Sequence, residues 1–138
     1  MNYRIATKED IEFCEKHGIS GGKFEIEGEL LQETIAVELD GLVIGIGGWI
    51  KITDVCVWSW TELTPGATEN IFGFFRKTRD WMNTTAEVNG IKRYQCWIDA
   101  DNEKRIRFAE HLGFEKESLM KDFNGKGKDA FLYVKLMD

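Results

Sequence analysis

One segment, residues 94–114, constrains the fold more than any other, because it predicts a strand followed by a helix whose two ends are both marked. Residues 94–99 are rich in amino acids that favour strands. Asn102 suits a helix N-cap, since its side-chain oxygen can accept a hydrogen bond from an orphan amide of the first turn. Gly113 suits the left-handed residue that follows a helix, and Phe114 suits the hydrophobic position after it. We therefore predict a short amphipathic helix between Asn102 and Gly113.

Length and charge narrow the class of protein. The chain has 138 residues, which predicts a single domain, 1–138, with a core that needs no crosslinks. Its net charge of −6 argues against nonspecific nucleic-acid binding and against anionic membranes, because both call for a basic face. The sequence has no apolar run of about 18 residues, so no transmembrane helix is predicted. The first residues also lack the apolar core of a signal peptide.

The cysteines and acidic residues predict the compartment and the absence of a metal. Cys14, Cys56 and Cys96 form no CxxC pair and are expected to be free thiols in a reducing compartment. We therefore expect a cytoplasmic protein. Asp99 and Asp101 form a small acidic cluster, but no calcium-loop spacing follows them, so we expect no metal site.

The remaining pattern predicts an α+β fold with a mixed, mostly antiparallel sheet and helices on both faces. Asp40-Gly41 is a hairpin signal, and Gly45, Gly47 and Gly48 indicate a bulge or a close backbone approach in the return strand. Residues 19–33 stay unassigned, although Gly21-Gly22 marks a loop. We predict further strands at residues 3–6, 34–39, 42–50, 54–63, 119–123 and 131–136, and helices from Thr7 to Gly18 and from about Thr68 to Val88.

The spacing from Asn102 to Gly113-Phe114 resembles the fourth motif of the GNAT superfamily of N-acetyltransferases, Asn-x-x-Ala-x-x-x-Tyr-x-x-x-Gly-Phe. This chain has Arg105 at the alanine position and Ala109 at the tyrosine position, so the usual tyrosine acid is missing. The order of predicted elements is similar to that of a GNAT domain along nearly the whole chain. The resemblance implies the GNAT fold and an activity that uses acetyl-CoA.

Within the superfamily, the chain most resembles small GNAT-like proteins of tailed bacteriophages, some of them described as internal virion or assembly proteins. The shared points are the sequence from Ile106 to Gly113, the Gly47-Gly48 pair in a hairpin, a tryptophan-rich strand and a similar length. A phage-encoded protein would act in the cytoplasm of its bacterial host.

The resemblance implies an acyl site at the end of the strand that contains Trp58 and Trp60. In a GNAT domain, free backbone groups of this strand hold the pantetheine arm. Here the amides near Thr61 and Leu63 would hold the thioester and polarise its carbonyl. A nearby carboxylate often serves as the general base, and Glu62 is the candidate; apolar surroundings make a carboxylate a stronger base. The alternative is that Glu62 is a solvated residue at a strand end.

The resemblance also implies that the turn after this strand holds the pyrophosphate, through Gly66, Ala67 and Thr68 at the start of the next helix. The turn departs from the family pattern, because it has one glycine and no basic residue. Pro65 lacks an amide hydrogen. Glu69, expected in the first helical turn, would compete with a phosphate for the positive end of the helix. The alternative is a turn that only starts a helix.

Three residues of the Asn102 helix complete the predicted site. By the resemblance, Asn102 can contact CoA as well as cap the helix, and Arg105 can meet a phosphate. His111 can replace the missing tyrosine as the proton donor to the leaving thiolate. The alternatives are a plain N-cap for Asn102, a solvated surface charge for Arg105 and a surface histidine for His111.

Three functions stay open. The first is an acyl-CoA-dependent N-acetyltransferase, with acetyl-CoA as a substrate and an unknown amine as acceptor. The second is a catalytically silent GNAT scaffold that binds protein, as a virion or assembly factor or as an inhibitor of a host protein; tryptophans suit such interfaces. The third, weaker one is a binder of another nucleotide or small metabolite.

Overall fold

The computed structural model describes residues 1–19, 34–125 and 127–137. The unassigned segment, residues 19–33, lies outside these residues apart from Ile19, as does Lys126 between the last two predicted strands. In chain order the described elements are β1 (Asn2–Ile5), α1 (Lys8–His17), β2 (Ile35–Leu39), β3 (Leu42–Lys51), β4 (Cys56–Leu63), α2 (Pro65–Glu69), α3 (Ile71–Asn89), β5 (Arg93–Asp99), α4 (Glu103–His111), β6 (Glu115–Met120) and β7 (Ala130–Leu136).

The strands form a seven-stranded sheet in the order β1-β2-β3-β4-β5-β7-β6. The β1–β2, β2–β3, β5–β7 and β6–β7 pairs are antiparallel, whereas β4 and β5 are parallel. This confirms the predicted α+β fold. The chain forms two compact units: a first unit of Met1–Ile50 with Ser59–Lys77, and a second unit of Lys51–Trp58 with Thr78–Asp138. The single domain 1–138 stays a prediction.

In the first unit, helices pack on opposite faces of the strands. Side chains of α1 join a core that Trp60 flanks. Because side chains alternate along a strand, Leu63 points to the other face, where it lies with Phe74 of α3 around Gly45. A Cβ on Gly45 would lie 3.3 Å from both the Glu62 carbonyl oxygen and a ring carbon of Phe74. The predicted close backbone approach is therefore confirmed. The core contains Ala6, Ile11, Cys14, Ala36, Val43 and Ile46.

The start of α1 is fixed by a capping box at Thr7, where the predicted helix begins. Thr7 Oγ1 accepts a hydrogen bond from the Asp10 N–H at 3.3 Å, and Asp10 Oδ2 accepts one from the Thr7 N–H at 2.7 Å. Arg4 donates to both carboxylate oxygens of Asp10, at 2.6 and 3.0 Å. These contacts hold the buried Asp10 carboxylate in place.

In the second unit, both ends of α4 match the sequence prediction. Asn102 Oδ1 accepts a hydrogen bond from the Arg105 N–H at 3.2 Å, so Asn102 is the N-cap. Gly113 has a φ of +95°. The Phe114 N–H donates to the Ala109 carbonyl at 3.0 Å, and the Gly113 N–H donates to the carbonyl three residues earlier, also at 3.0 Å. This pair of bonds is a Schellman motif, and Phe114 is buried.

The predicted helix from Thr68 to Val88 is wrong at its start, because the chain forms two helices here. Asn70 interrupts them with φ −123° and ψ 34°. Its side-chain Nδ2 donates to the Gly66 carbonyl at 3.0 Å, so the break satisfies a carbonyl of α2. Glu69 is consequently the last residue of α2 and does not lie in the first turn of the long helix.

Two predicted strand bounds are also corrected. The strand predicted at residues 119–123 is Glu115–Met120, because α4 ends tightly at Gly113, while Asp122 has a left-handed φ of +53° in the following turn. The strand predicted from residue 54 begins at Cys56. Thr53 Oγ1 accepts hydrogen bonds from the Val55 N–H at 3.3 Å and the Cys56 N–H at 3.0 Å, so a turn precedes the strand.

Candidate functional site

Glu62 lies buried near the end of β4, under the last turn of α1. Only 2% of its surface is exposed. A Cβ on Gly18 would lie 2.8 Å from both Cγ and Cδ of Glu62, so the helix end touches the carboxylate stem. Burial, followed by the charges of Asp10 and Glu62, raises the pKa of the Cys14 thiol to about 12. Glu62 is therefore enclosed by protein, which disfavours the alternative of a solvated residue at a strand end. A buried position of this kind is compatible with a general base.

The backbone of Leu63 is engaged on both sides. Its N–H donates to Glu62 Oε1 at 3.0 Å. Its carbonyl accepts a hydrogen bond from the Ile19 N–H at 2.8 Å. The next residue is fixed as well, since the Thr64 N–H donates to the Ile44 carbonyl at 2.9 Å. The amide expected to polarise a thioester is thus bound to the carboxylate that precedes it in the chain.

The side chains of Thr61 and Trp60 lie in different environments. Trp60 packs against the core, and the alternation of side chains along β4 places it on the same face as Glu62. Thr61 is half-buried, and its Oγ1 would lie 3.4 Å from a Cβ on Gly47. The glycine lets β3 and β4 approach closely beside Thr61.

The turn after β4 is tied to β3. Thr64 Oγ1 donates to the Ile44 carbonyl at 3.1 Å rather than capping α2. A Cβ on Gly66 would lie 2.8 Å from Ile44 Cγ2, so glycine is the residue that lets this turn pack against β3. The single glycine of the predicted pyrophosphate turn therefore has a packing role.

The amides of α2 are only partly oriented as a phosphate site requires. Pro65 occupies the first helical position and has no amide hydrogen. The Ala67 N–H donates to the Thr64 carbonyl at 3.0 Å, and Ala67 is fully buried. Thr68 is exposed. Of the three predicted pyrophosphate contacts, Ala67 has an amide that is already engaged within the protein.

The N-terminus of α4 borders an open depression of about 450 Å³. Arg105, predicted to meet a phosphate, is exposed on this helix. The depression is lined by Asp99, Asp101, Asn102, Glu103, Lys104 and Arg107.

Within residues 1–19, 34–125 and 127–137, no group of three or more histidine, cysteine, aspartate or glutamate residues could hold a metal ion.

On α4, His111 and Ala109, the position of the missing tyrosine, point in different directions. Ala109 is buried, whereas His111 is exposed. Two residues correspond to about 200° of helical rotation, so the two side chains leave the helix on nearly opposite sides. Arg79 donates to the His111 carbonyl at 3.1 Å, and Lys135 Nζ donates to the Leu112 carbonyl at 2.7 Å. Burial, followed by the charge of Arg79, lowers the pKa of Lys135.

Sequence reasoning missed the part that Gly18 and Ile19 play at the end of β4. It assigned Gly18 only the role of stopping a helix, and it left Ile19 in the unassigned segment. Their contacts with Glu62 and Leu63 span more than forty positions, and no local pattern carries such a signal. In the sequence, only the glycine at position 18 indicates that another part of the chain comes close there.

This fold is the one found in GNAT-family acetyltransferases. The structure is similar to a GNAT-family acetyltransferase from Streptococcus pneumoniae, with a TM-score of 0.75, 16% identity and 99% of both chains covered. It is similar to yncA from Salmonella typhimurium, solved with its cofactor acetyl-CoA, with a TM-score of 0.73, 17% identity, and 99% of this chain and 94% of that chain covered. It is also similar to a variant of the spermidine N-acetyltransferase SpeG from Vibrio cholerae, with a TM-score of 0.74 and 15% identity. The match covers 99% of this chain and 95% of that chain.

Sequence comparison adds no closer relative. No protein-family model matches the chain, and no curated protein matches it. The structural likenesses therefore establish the fold. In the described parts of the chain, no helix has the length and apolar character needed to cross a membrane.

Proposed function

We propose that the protein is an acyl-CoA-dependent N-acetyltransferase that transfers an acetyl group to an amine. The observation that carries the proposal is the Glu62 carboxylate, 2% exposed at the end of β4, in a fold that GNAT acetyltransferases share. A carboxylate is rarely buried this deeply without a reason, since desolvation of a charge is costly. General-base catalysis is such a reason.

In the proposed reaction, the neutral amine attacks the thioester carbonyl carbon, the C–N bond forms and the C–S bond breaks. Glu62 takes the proton of the amine through a water molecule, because the carboxylate is too deeply buried to touch the acceptor. Backbone amides at Thr61 and Leu63 hold the thioester and stabilise the negative charge on its oxygen. Water protonates the leaving thiolate, since buried Ala109 has no acidic group.

The acceptor is proposed to be a cationic amine. A chain with a net charge of −6 attracts cations and repels acidic acceptors. Spermidine, the amine in the name of one structural neighbour, belongs to this class. The one amine that attacks must first lose its extra proton to become neutral, which is the step assigned to Glu62.

The test is calorimetric titration with acetyl-CoA and with CoA at modest salt, followed by a panel of polyamines assayed by product mass. The proposal predicts binding in the micromolar range and an acetylated amine. Absence of binding at millimolar concentrations of both ligands would reject the enzyme function.

A second candidate is a GNAT scaffold that binds another protein, as a virion or assembly factor of a phage or as an inhibitor of a host protein. It is favoured by an exposed aromatic pair in the second unit. Trp97 and Phe123 are 41% and 42% exposed, and their rings lie 5.2 Å apart. Exposed aromatic residues are frequent anchors of interfaces. A Trp97→Ala variant that loses a partner which the unaltered protein retains would support this candidate.

A further inference from the structure

We propose that the Glu62 carboxylate is an internal ligand of the Leu63 amide, and that the acyl group of the thioester must displace it before reaction. The inference rests on the proposed function and adds a means of regulating its site. The observation behind it is the 3.0 Å hydrogen bond from the Leu63 N–H to Glu62 Oε1.

Two acceptors compete for one donor. The proposed reaction needs the Leu63 N–H to point at the thioester oxygen, yet in this structure the same N–H points at a carboxylate. A charged acceptor binds an N–H more strongly than a neutral carbonyl does. The carboxylate therefore opposes acyl binding until the rest of the ligand supplies the energy to replace it.

The surrounding contacts restrict the movement to the Glu62 side chain. The Leu63 carbonyl is held by the Ile19 N–H at 2.8 Å, and the Thr64 N–H is held by the Ile44 carbonyl at 2.9 Å. With the backbone fixed on the far side of Leu63, the amide keeps its direction while the side chain rotates. Gly18 leaves no spare room on the α1 side, where a single Cβ would already overlap Glu62.

The exchange couples two events. Rotation of Glu62 frees the amide for the thioester oxygen, and it also releases the carboxylate to accept a proton. The base would therefore become available only when an acyl group is bound. CoA without an acyl group has no carbonyl at this position and would leave Glu62 in place.

The test compares the dissociation constants of acetyl-CoA and CoA for the unaltered protein, Glu62→Ala and Glu62→Gln. Because a net hydrogen bond is worth about 1 kcal/mol, Glu62→Ala should raise the preference for acetyl-CoA over CoA roughly fivefold. The preference of Glu62→Gln should lie between those of the unaltered protein and Glu62→Ala, since its amide oxygen still accepts a hydrogen bond from the Leu63 N–H but carries no charge. Glu87→Ala, which removes an exposed carboxylate on α3, is the matched control and should leave the preference unchanged.

A measurement on the unaltered protein makes the result independent of how well the variants fold. The Leu63 amide resonance should move on addition of acetyl-CoA and stay in place on addition of CoA. An equal response to both ligands, or an unchanged preference in Glu62→Ala, would overturn the inference and leave the proposed function standing. If neither acetyl-CoA nor CoA binds, both the inference and the proposed function are rejected.

Discussion

The ends of α4 and the end of β4 satisfy their backbone groups in opposite ways. At α4, the N-cap bond and the Schellman bonds come from within the segment between Asn102 and Phe114, and side chains of Arg79 and Lys135 add bonds to its last carbonyls. At β4, the partners of Leu63 and Thr64 include Ile19 and Ile44, which lie far away in the sequence. The first region is a local structural device. The second is assembled by the fold around a buried carboxylate, which is where a reaction can gain from a protected environment.

The largest effect is expected from replacing the carboxylate at β4. Glu62→Gln keeps the shape of the side chain and removes its basicity, so kcat/KM for acetyl transfer should fall by about 10²–10⁴-fold, the usual contribution of a general base. Glu87→Gln, which alters an exposed carboxylate on α3, should keep full activity. Initial rates at amine concentrations well below KM, with saturating acetyl-CoA, give kcat/KM for both variants. Equal rates for the two variants would remove Glu62 from the reaction.

The next effect concerns the glycine above that carboxylate. A Cβ at Gly18 would overlap the Cys14 carbonyl oxygen and lie 2.8 Å from two carbons of Glu62. Gly18→Ala should therefore lower the free energy of unfolding by about 1–3 kcal/mol, as overpacking does. Its φ of −66° is one that alanine adopts easily, so steric overlap alone is tested.

Gly73→Ala is the matched control for this substitution. In α3, its new Cβ would meet only the flexible end of Met1, at 3.3 Å. Alanine in a helix should then stabilise the protein by about 0.5–1 kcal/mol. Urea denaturation of both variants gives the comparison, and a Gly18→Ala protein as stable as the unaltered one would contradict the close contact.

The third prediction tests the anchor of α1, the helix that covers Glu62. Burial alone would raise the pKa of the Asp10 carboxyl, but hydrogen bonds from Arg4 and Thr7 outweigh it and hold the pKa below the ordinary value of 3.8. A lowered folded-state pKa adds stability above that ordinary value, and the added stability is lost as the pH falls through the folded-state pKa. Asp10→Asn should cost about 2 kcal/mol near neutral pH.

The pH dependence separates this effect from simple loss of packing. The difference in unfolding free energy between the unaltered protein and Asp10→Asn should be constant from pH 7 to about pH 4 and shrink below pH 3.8. Glu9→Gln, at the exposed neighbouring position, should show neither the loss nor the pH dependence. A difference that stays constant down to pH 2 would contradict the assigned ion pair.

The same contrast explains what could be predicted from the sequence. Capping of α4 by Asn102 and Gly113 was predicted to the residue, because N-caps and left-handed glycines act on neighbouring backbone groups. The break at Asn70 was missed, because the helical periodicity continues through it. Glu62 was selected by family resemblance. Its depth under Gly18 was not predictable, since it depends on how α1 packs against β4.

The smallest effect is expected at the start of α4. Asn102→Ala removes the bond to the Arg105 N–H and should cost about 1 kcal/mol of stability, whereas Asn102→Asp should retain it, because aspartate caps equally well. The pair also tests the proposed second role of Asn102 as a contact of CoA. A negative charge beside a phosphate would weaken binding, so Asn102→Asp should raise the dissociation constant of CoA while leaving the melting temperature unchanged. If CoA affinity follows stability through both variants, Asn102 is a cap alone, and the local device at α4 takes no part in the chemistry proposed at β4.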